Sequence, residues 1–156
     1  MKIACIGGGP AGLYFAISMK LRNPSHQVLL IERNRPDDTF GWGVVLSDEA
    51  LANVDHNDPI SARAIRDEFA YWDDVAVVKD GTRNVSSGHG FCGIGRMKLL
   101  QILHHRAQEL GVELRFETEA ADYQVYMADY DLVVASDGLR SKARDQFATV
   151  FEPQID

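Results

Sequence analysis

The spacing of apolar and polar positions in the first 32 residues predicts a strand, a helix and a second strand. Residues 3–6 form an unbroken apolar run, long enough for a buried strand and too short for a helix. The positions that then recur at helical spacing are Leu13, Ala16, Ile17, Lys20 and Leu21. Gln27–Ile31 is a second apolar run. The chain is therefore predicted to begin with a βαβ unit.

The next sixty residues show a less regular pattern. Residues 41–46 predict an apolar loop flanked by glycines, and Ser47 is a candidate N-cap for a short helix. A further helix is predicted from Asp58 and Pro59, with an inner face formed by Ile60, Ala64 and Phe69.

Two apolar segments in this region bracket a turn signal. Residues 75–78 and 84–86 lie on either side of Asp80-Gly81, which predicts an antiparallel hairpin. Residues 87–95 contain too many glycines to be predicted as a regular strand, and we expect a loop that could approach a flat ligand closely.

Helical and strand patterns return in the last third. Residues 96–110 predict a helix that ends at Gly111, and its apolar stripe consists of Leu99, Leu103, Ala107 and Leu110. Residues 112–116 alternate like a half-buried strand, and residues 131–135 predict a buried strand followed by a basic helix from about residue 139. The order of elements predicts an α/β fold: a mostly parallel sheet with helices packed on it and a small antiparallel hairpin insert.

Composition narrows the functional classes. The chain has 156 residues, 46% of them hydrophobic, which fits one globular domain with its own core. Its net charge of −7 argues against a nucleic-acid-binding protein. No apolar stretch approaches a transmembrane length, and Cys5 and Cys92 lack metal-ligand spacing. We therefore expect a cytoplasmic protein with reduced thiols, without a metal site and without a membrane partner.

A glycine motif connects the first strand to the first helix. Gly7, Gly9 and Gly12 match G-x-G-x-x-G, in which the first glycine permits a tight turn, the second lets a pyrophosphate approach, and the third allows close packing. Pro10 suits the first helical turn, where its missing N–H costs little. Glu32, at the end of the second strand, can bind ribose hydroxyls and disfavours a 2′-phosphate. The motif in this context predicts FAD or NAD, while a glycine-rich turn without a ligand is the alternative.

Three motifs occur in order along the chain: the glycine motif, then Arg96-x-x-Leu99-x-x-x-Leu103, then Asp137-Gly138 after an apolar strand. In this combination the chain resembles the N-terminal FAD-binding part of the class A flavoprotein aromatic monooxygenases. Residues 32–41 and 88–91 are most similar to the group that contains salicylyl-CoA 5-hydroxylase and 2-aminobenzoyl-CoA monooxygenase. A Rossmann-like FAD-binding fold is implied by this resemblance.

The resemblance also implies which residues contact the cofactor. The implied set is Gly7, Gly9, Pro10, Ala11, Gly12, Glu32, Arg33, Arg96, Ala120, Asp137 and Gly138. The pyrophosphate would lie against residues 9–12, and Arg96 would reach the pyrophosphate or the ribityl chain. Glu32 would hold the adenosine ribose, with Arg33 and the backbone of Ala120 near the adenine. The Asp-Gly pair would serve FAD and the reduced nicotinamide together.

The reaction implied by the resemblance is hydroxylation of an aromatic ring, with one oxygen atom taken from O2. NADH or NADPH would be the reductant, and an aryl-CoA thioester would be the substrate. Since the cofactor carries this chemistry, no catalytic acid or base is predicted. Members of the family continue downstream with a substrate-binding sheet and a Gly-Asp flavin motif. We therefore expect residues 1–156 to be an incomplete FAD/NAD(P)-binding domain with little turnover alone.

Several alternatives stay open at this point. The chain could be a dinucleotide-binding module without catalysis, or an NAD-dependent dehydrogenase, which shares the first 32 residues. Asp137 could simply cap the following helix, and Arg96 could point into solvent or pair with an acid. Trp42 could border the flavin or lie in the core, whereas Tyr71 and Trp72 are predicted to pack in the core.

Overall fold

A computed structural model of the chain describes residues 1–154 and divides it into two compact units. The first unit contains Met1–Asp38 together with the chain from Leu103 onward, and the second contains Thr39–Ile102. In chain order the elements are β1 (Lys2–Ile6), α1 (Pro10–Arg22), β2 (Gln27–Ile31), β3 (Gly43–Ser47), α2 (Asp48–Asn57), α3 (Pro59–Arg66), β4 (Ala70–Trp72), β5 (Val75–Lys79), β6 (Thr82–Ser86), β7 (Phe91–Gly95), α4 (Arg96–Glu109), β8 (Glu113–Arg115), α5 (Tyr123–Asp129), β9 (Leu132–Ala135), α6 (Lys142–Gln146) and α7 (Ala148–Phe151).

The first unit is built on a parallel sheet of four strands in the order β8-β2-β1-β9. The central strands are apolar on both faces, so Ile3, Cys5 and Leu30 are fully buried. Helix α1 packs on this sheet through Leu13 and Ile17, which are also fully buried. Strand β9 lies at the edge and is only half-buried, in contrast to the buried strand predicted for this segment.

The second unit contains an antiparallel sheet in the order β3-β7-β4 and the separate hairpin β5–β6. Residues 41–46 were expected to form a loop, yet most of them belong to β3. Residues 87–95 were expected to be too glycine-rich for a strand, yet β7 is the central strand of this sheet. A β-carbon at Gly93 would lie 3.0 Å from the ring of Trp72, so the absence of a side chain leaves room for that ring. Both loop predictions are therefore wrong.

Two predictions of buried faces also need correction. In α3 the buried side chains are Ser61, Ala62 and Ile65, whereas Ile60 is 58% exposed, because the helix presents a different face to its neighbours than the apolar spacing suggested. The three aromatic residues considered for the core are exposed instead: Trp42, Tyr71 and Trp72 have exposures of 99%, 64% and 36%. Tyr71 and Trp72 belong to an edge strand of a small sheet, where little structure covers them.

The local capping and turn signals gave correct predictions. Asp80 and Gly81 have positive φ angles of 49° and 77°, as a two-residue hairpin turn requires. Ser47 caps α2 by accepting a hydrogen bond from the Ala50 N–H at 3.2 Å. Helix α4 is followed by Gly111 with φ 77°. The predicted α/β fold, with a parallel sheet, packed helices and an antiparallel hairpin, is confirmed.

Candidate dinucleotide-binding site

The glycine turn joins the carboxyl end of β1 to the start of α1, and two of its glycines are required by packing. Gly7 has φ 113°, and a β-carbon there would lie 2.3 Å from the carbonyl oxygen of Ser136. At Gly12 a β-carbon would lie 2.1 Å from the carbonyl oxygen of Gly7. Because both distances are far below van der Waals contact, a side chain at either position would displace the backbone of the turn.

Gly9 differs from both, since a β-carbon at this position would have no protein atom within 4 Å. Gly9 is the N-cap residue of α1, has extended backbone angles, and makes no side-chain cap. Pro10 occupies the first helical turn, as predicted, and the exposed Ala11 follows it. The turn therefore leaves open space at the positive end of a 13-residue helix, which suits a bound pyrophosphate.

Glu32 lies beside this turn, directly after β2. Its Oε2 atom accepts a hydrogen bond from the Gly8 N–H at 2.7 Å. Its Oε1 atom accepts bonds from the N–H and the side-chain amide of Asn34, at 2.8 and 2.6 Å. A carboxylate has about four acceptor sites, so three protein donors leave room for one ribose hydroxyl at Oε2. The carboxylate is held in place by the same turn that faces the open space.

The predicted adenine residues lie along two adjacent segments. The Glu32 N–H donates to the carbonyl of Arg115 at 2.8 Å, and the Thr118 N–H donates to the carbonyl of Glu32 at 3.0 Å. These bonds align the segment after β2 with the segment after β8. Arg33 is exposed on the first segment and interacts electrostatically with Glu119 on the second. Ala120, 6% exposed, follows directly.

Asp137 follows β9 and is held by several donors. Its Oδ2 atom accepts hydrogen bonds from the Tyr123 hydroxyl at 2.7 Å and from the Ala143 N–H at 3.3 Å. These bonds, together with one from Ser141, outweigh the effect of partial burial and lower the pKa of the Asp137 carboxyl. The N-cap of α6 is Ser141, whose hydroxyl oxygen accepts from the Arg144 N–H at 3.1 Å, so Asp137 is a second acceptor at this helix end and not its N-cap. Gly138 next to it is exposed and has φ 78°.

Ser136 connects the two motifs and was not predicted. Its hydroxyl lies 3.1 Å from the carbonyl oxygen of Ile6 and 3.0 Å from that of Gly7, and it donates to these acceptors. Its N–H also donates to Ile6, at 2.7 Å. A signal was present in the sequence, because both motifs follow directly on strands of one parallel sheet and must meet at one edge. Tyr123 gave no such signal.

Arg96 belongs to the second unit, whereas all other predicted site residues belong to the first. Its N–H donates to the carbonyl of Trp42 at 3.1 Å. The Nε atom of its guanidinium is buried and has no hydrogen-bond partner within residues 1–154. A buried donor of this kind normally has a partner, and the described residues supply none for this atom.

Other titratable groups in the described residues offer no alternative chemistry. Burial raises the pKa of the Cys5 thiol to about 12 and also raises that of Cys92. Burial lowers the pKa of His104, whose ring contacts Phe116 edge-on at 5.0 Å. His89 accepts or donates a hydrogen bond with Ser86 in an exposed loop. Residues 1–154 contain neither a His/Cys/Asp/Glu group suited to a metal ion nor a helix long and apolar enough to cross a membrane.

Comparisons with known sequences identify relatives that are named as hydroxylases or monooxygenases. No protein-family model matches the chain. It is 44% identical over 153 residues to salicyloyl-CoA 5-hydroxylase from a Streptomyces species, covering 98% of this chain and 29% of the relative. It is 33% identical over 151 residues to 3-hydroxy-4-methyl-anthranilyl-[aryl-carrier protein] 5-monooxygenase from Streptosporangium sibiricum, covering 97% and 42%. The chain thus spans less than half the length of each of these relatives.

Solved structures support the fold. A variant of 2-methyl-3-hydroxypyridine-5-carboxylic acid oxygenase matches with a TM-score of 0.79 and 25% identity, covering 94% of this chain and 42% of the oxygenase. CtdE in complex with FAD matches with a TM-score of 0.70 and 21% identity, covering 94% and 40%, and it supports the fold alone. The resemblance predicted from the sequence is therefore confirmed: almost the whole of this chain is similar to one part of the flavoprotein aromatic monooxygenases.

Proposed function

We propose that this chain is the FAD-binding part of an NAD(P)H-dependent monooxygenase that hydroxylates an aromatic ring. The observation that carries the proposal is the open space at Gly9, which lies at the start of α1 between two glycines that packing requires. Backbone N–H groups and the helix dipole at this point favour a pyrophosphate. The sequence relatives named above are hydroxylases or monooxygenases, which supports a flavin rather than an NAD-dependent dehydrogenase.

The residues of the chain would bind and orient the cofactor. We assign residues 9–12 to the pyrophosphate, Glu32 to the adenosine ribose, and Arg33 with the backbone of Ala120 to the adenine. Gly7 and Gly12 keep the turn compact. Bound FAD would supply the redox chemistry that lets O2 react with the ring, while the protein supplies position, electrostatics and exclusion of water.

Asp137, Gly138 and Arg96 complete the proposed set. The Asp137 carboxylate is held ionised near the edge where β1 and β9 end, so it can accept a hydrogen bond from a ribose or ribityl hydroxyl. Gly138 leaves the backbone next to it unobstructed. The buried Nε donor of Arg96 suits an anionic group such as the pyrophosphate.

We propose an aromatic acid linked to CoA as the substrate class. One relative acts, by its name, on salicyloyl-CoA, and another acts on an anthranilyl group attached to an aryl-carrier protein. Both names describe an aromatic acid attached to a large carrier. NADH or NADPH would be the reductant and O2 the second substrate. The expected cytoplasmic location and the single incomplete domain stay predictions.

Flavin binding is the first test. Purified protein is titrated with FAD and, separately, with NAD. Binding of FAD is followed by flavin fluorescence and visible absorption, and binding of NAD by titration calorimetry. We expect saturable binding of FAD and weaker binding of NAD. Saturation by NAD without any binding of FAD would support a dehydrogenase instead.

The reaction is the second test. The FAD-loaded protein is mixed with NADH or NADPH, O2 and salicyloyl-CoA or 2-aminobenzoyl-CoA, and hydroxylated products are identified by mass spectrometry. FAD binding without any product by this chain would favour a dinucleotide-binding module that needs further protein for turnover. A product that carries a change other than one added oxygen atom on the aromatic ring would contradict the proposed hydroxylation.

A further inference from the structure

Tyr123, the first residue of α5, has a buried ring and a hydroxyl that reaches the second motif. The residue is 3% exposed and packs in a small cluster with Ile6, Ala120 and Ala143. A buried tyrosine hydroxyl normally has a hydrogen-bond partner. Here the partner is Oδ2 of Asp137, which accepts from the hydroxyl at 2.7 Å.

The backbone around Tyr123 is held by a second set of hydrogen bonds. The Tyr123 N–H donates to Oε1 of Gln146 at 3.0 Å, and Nε2 of Gln146 donates to Oδ1 of Asp122 at 2.6 Å. The same Asp122 oxygen caps α5 by accepting from the Gln124 N–H at 2.9 Å. The start of α5 is therefore connected to α6. These bonds hold the backbone of Tyr123, and the bond to Asp137 holds its hydroxyl.

The acceptor sites of Asp137 show what remains for a ligand. Tyr123 and the Ala143 N–H occupy Oδ2, and Ser141 and the Asp137 N–H supply further hydrogen bonds to the carboxylate. A carboxylate has about four acceptor sites, which equals the number of these donors, so a ligand hydroxyl would share an oxygen with one of them or take its place. Because the Tyr123 hydroxyl makes the shorter of the two bonds to Oδ2, its loss would leave this oxygen with only the longer bond from Ala143 and hold the carboxylate less firmly.

We propose that Tyr123 is a positioning residue whose hydroxyl orients the Asp137 carboxylate for a hydroxyl group of FAD. This inference rests on the proposed function. The competing interpretation is that Tyr123 and Asp137 only brace α5 against α6, in which case their loss would lower stability and leave the affinity for FAD unchanged.

A double-mutant cycle distinguishes these interpretations. The variants are Tyr123→Phe, Asp137→Asn and the double variant, and each is measured for its dissociation constant with FAD and for its thermal unfolding. Loss of one hydrogen bond to a charged group is expected to weaken FAD binding about three- to tenfold in Tyr123→Phe. In the Asp137→Asn background the same change is expected to have no further effect, since its target is already altered.

Tyr126→Phe is the matched control, because Tyr126 lies on the same helix, packs against the same cluster and loses the same hydroxyl group. We expect it to bind FAD like the wild type. If Asp137→Asn does not fold, the pH dependence of FAD binding in Tyr123→Phe provides a second measurement. Among residues 1–154, the groups that could influence this pH dependence are few. The carboxylate is contacted by Tyr123 from α5 and, at the start of α6, by Ser141 and the Ala143 N–H. Ile6 from β1 is apolar, and Arg33 acts electrostatically on Tyr123.

The sign of the pH effect follows from these contacts. The Tyr123 hydroxyl favours the charged carboxylate, so its removal raises the pKa of Asp137. The loss of FAD affinity on acidification should therefore begin at a higher pH in Tyr123→Phe than in Tyr126→Phe. FAD binding by Tyr123→Phe that equals the control, or an equal loss in both backgrounds of the cycle, would overturn the inference and leave the proposed function intact. Failure of the wild type to bind FAD would overturn both.

Discussion

Replacing Gly9 and Gly12 separately by alanine tests whether the glycine turn is built for a ligand. The two substitutions add the same methyl group to the same turn. At Gly12 the added β-carbon would lie 2.1 Å from a backbone oxygen and 2.4 Å from the Ser136 hydroxyl. At Gly9 it would meet no protein atom within 4 Å. The structure therefore predicts opposite consequences for folding and for binding.

The expected magnitudes follow from these distances. Gly12→Ala forces the backbone of the turn apart, and overpacking of this kind costs about 1–3 kcal/mol or more of stability. Gly9→Ala should change stability by only about 0.5 kcal/mol, because the weaker N-cap is offset by the lower entropy of the unfolded chain. Gly9 already has φ −72° and ψ 174°, angles that alanine adopts without strain.

For the affinity for FAD we expect the reverse: among folded proteins, Gly9→Ala should lose more affinity than Gly12→Ala. A methyl group at Gly9 would enter the space assigned to the pyrophosphate, and a clash of about 1–3 kcal/mol corresponds to roughly five- to 150-fold weaker FAD binding. Urea unfolding and FAD titration are carried out on both variants. A Gly9→Ala protein with wild-type stability and wild-type FAD affinity would refute the assignment of this space to a ligand.

Three further predictions concern other parts of the chain. Glu32→Ala removes the acceptor of three protein donors and a proposed ribose contact, so it should weaken FAD binding about ten- to hundredfold. The control Glu113→Ala, at an exposed position, should not weaken it, and equal FAD affinities of Glu32→Ala and wild type in fluorescence titrations would show that Glu32 is not part of the site. Arg96→Ala should leave the melting temperature of the apoprotein unchanged or slightly raised, and it should weaken FAD binding by about 1.5–3 kcal/mol. Arg96→Lys should recover part of the lost affinity, whereas lower apoprotein stability with unaltered affinity would show that Arg96 has a structural role. The hairpin β5–β6 exposes Val75 and Val77 on one face of β5, at 36% and 59%, so we expect concentration-dependent self-association in sedimentation experiments. The association should decrease when both are changed to threonine, and an unchanged association constant would exclude this surface.

Local patterns in the sequence determined the strands, turns and helix ends whose structure depends on residues close together in the chain. The apolar runs of β1 and β2, the Asp80-Gly81 turn and the stop at Gly111 were predicted correctly, because each depends on backbone preferences or burial within a few residues. The glycine motif also located the turn and the helix start, since its spacing reflects steric needs of the backbone itself.

Tertiary structure alone decided which faces are buried and which side chains meet. The glycine-rich β7 is a central strand because two neighbouring strands pair with it, and no local preference shows that. Tyr71 and Trp72 are exposed because they lie on an edge strand, although their composition suggests a core. The contact between Tyr123 and Asp137 joins the start of α5 to the loop after β9, 14 positions further along the chain. Such contacts depend on how helices and strands pack against one another. That packing results from many interactions between residues far apart in the chain, which a local sequence pattern does not contain.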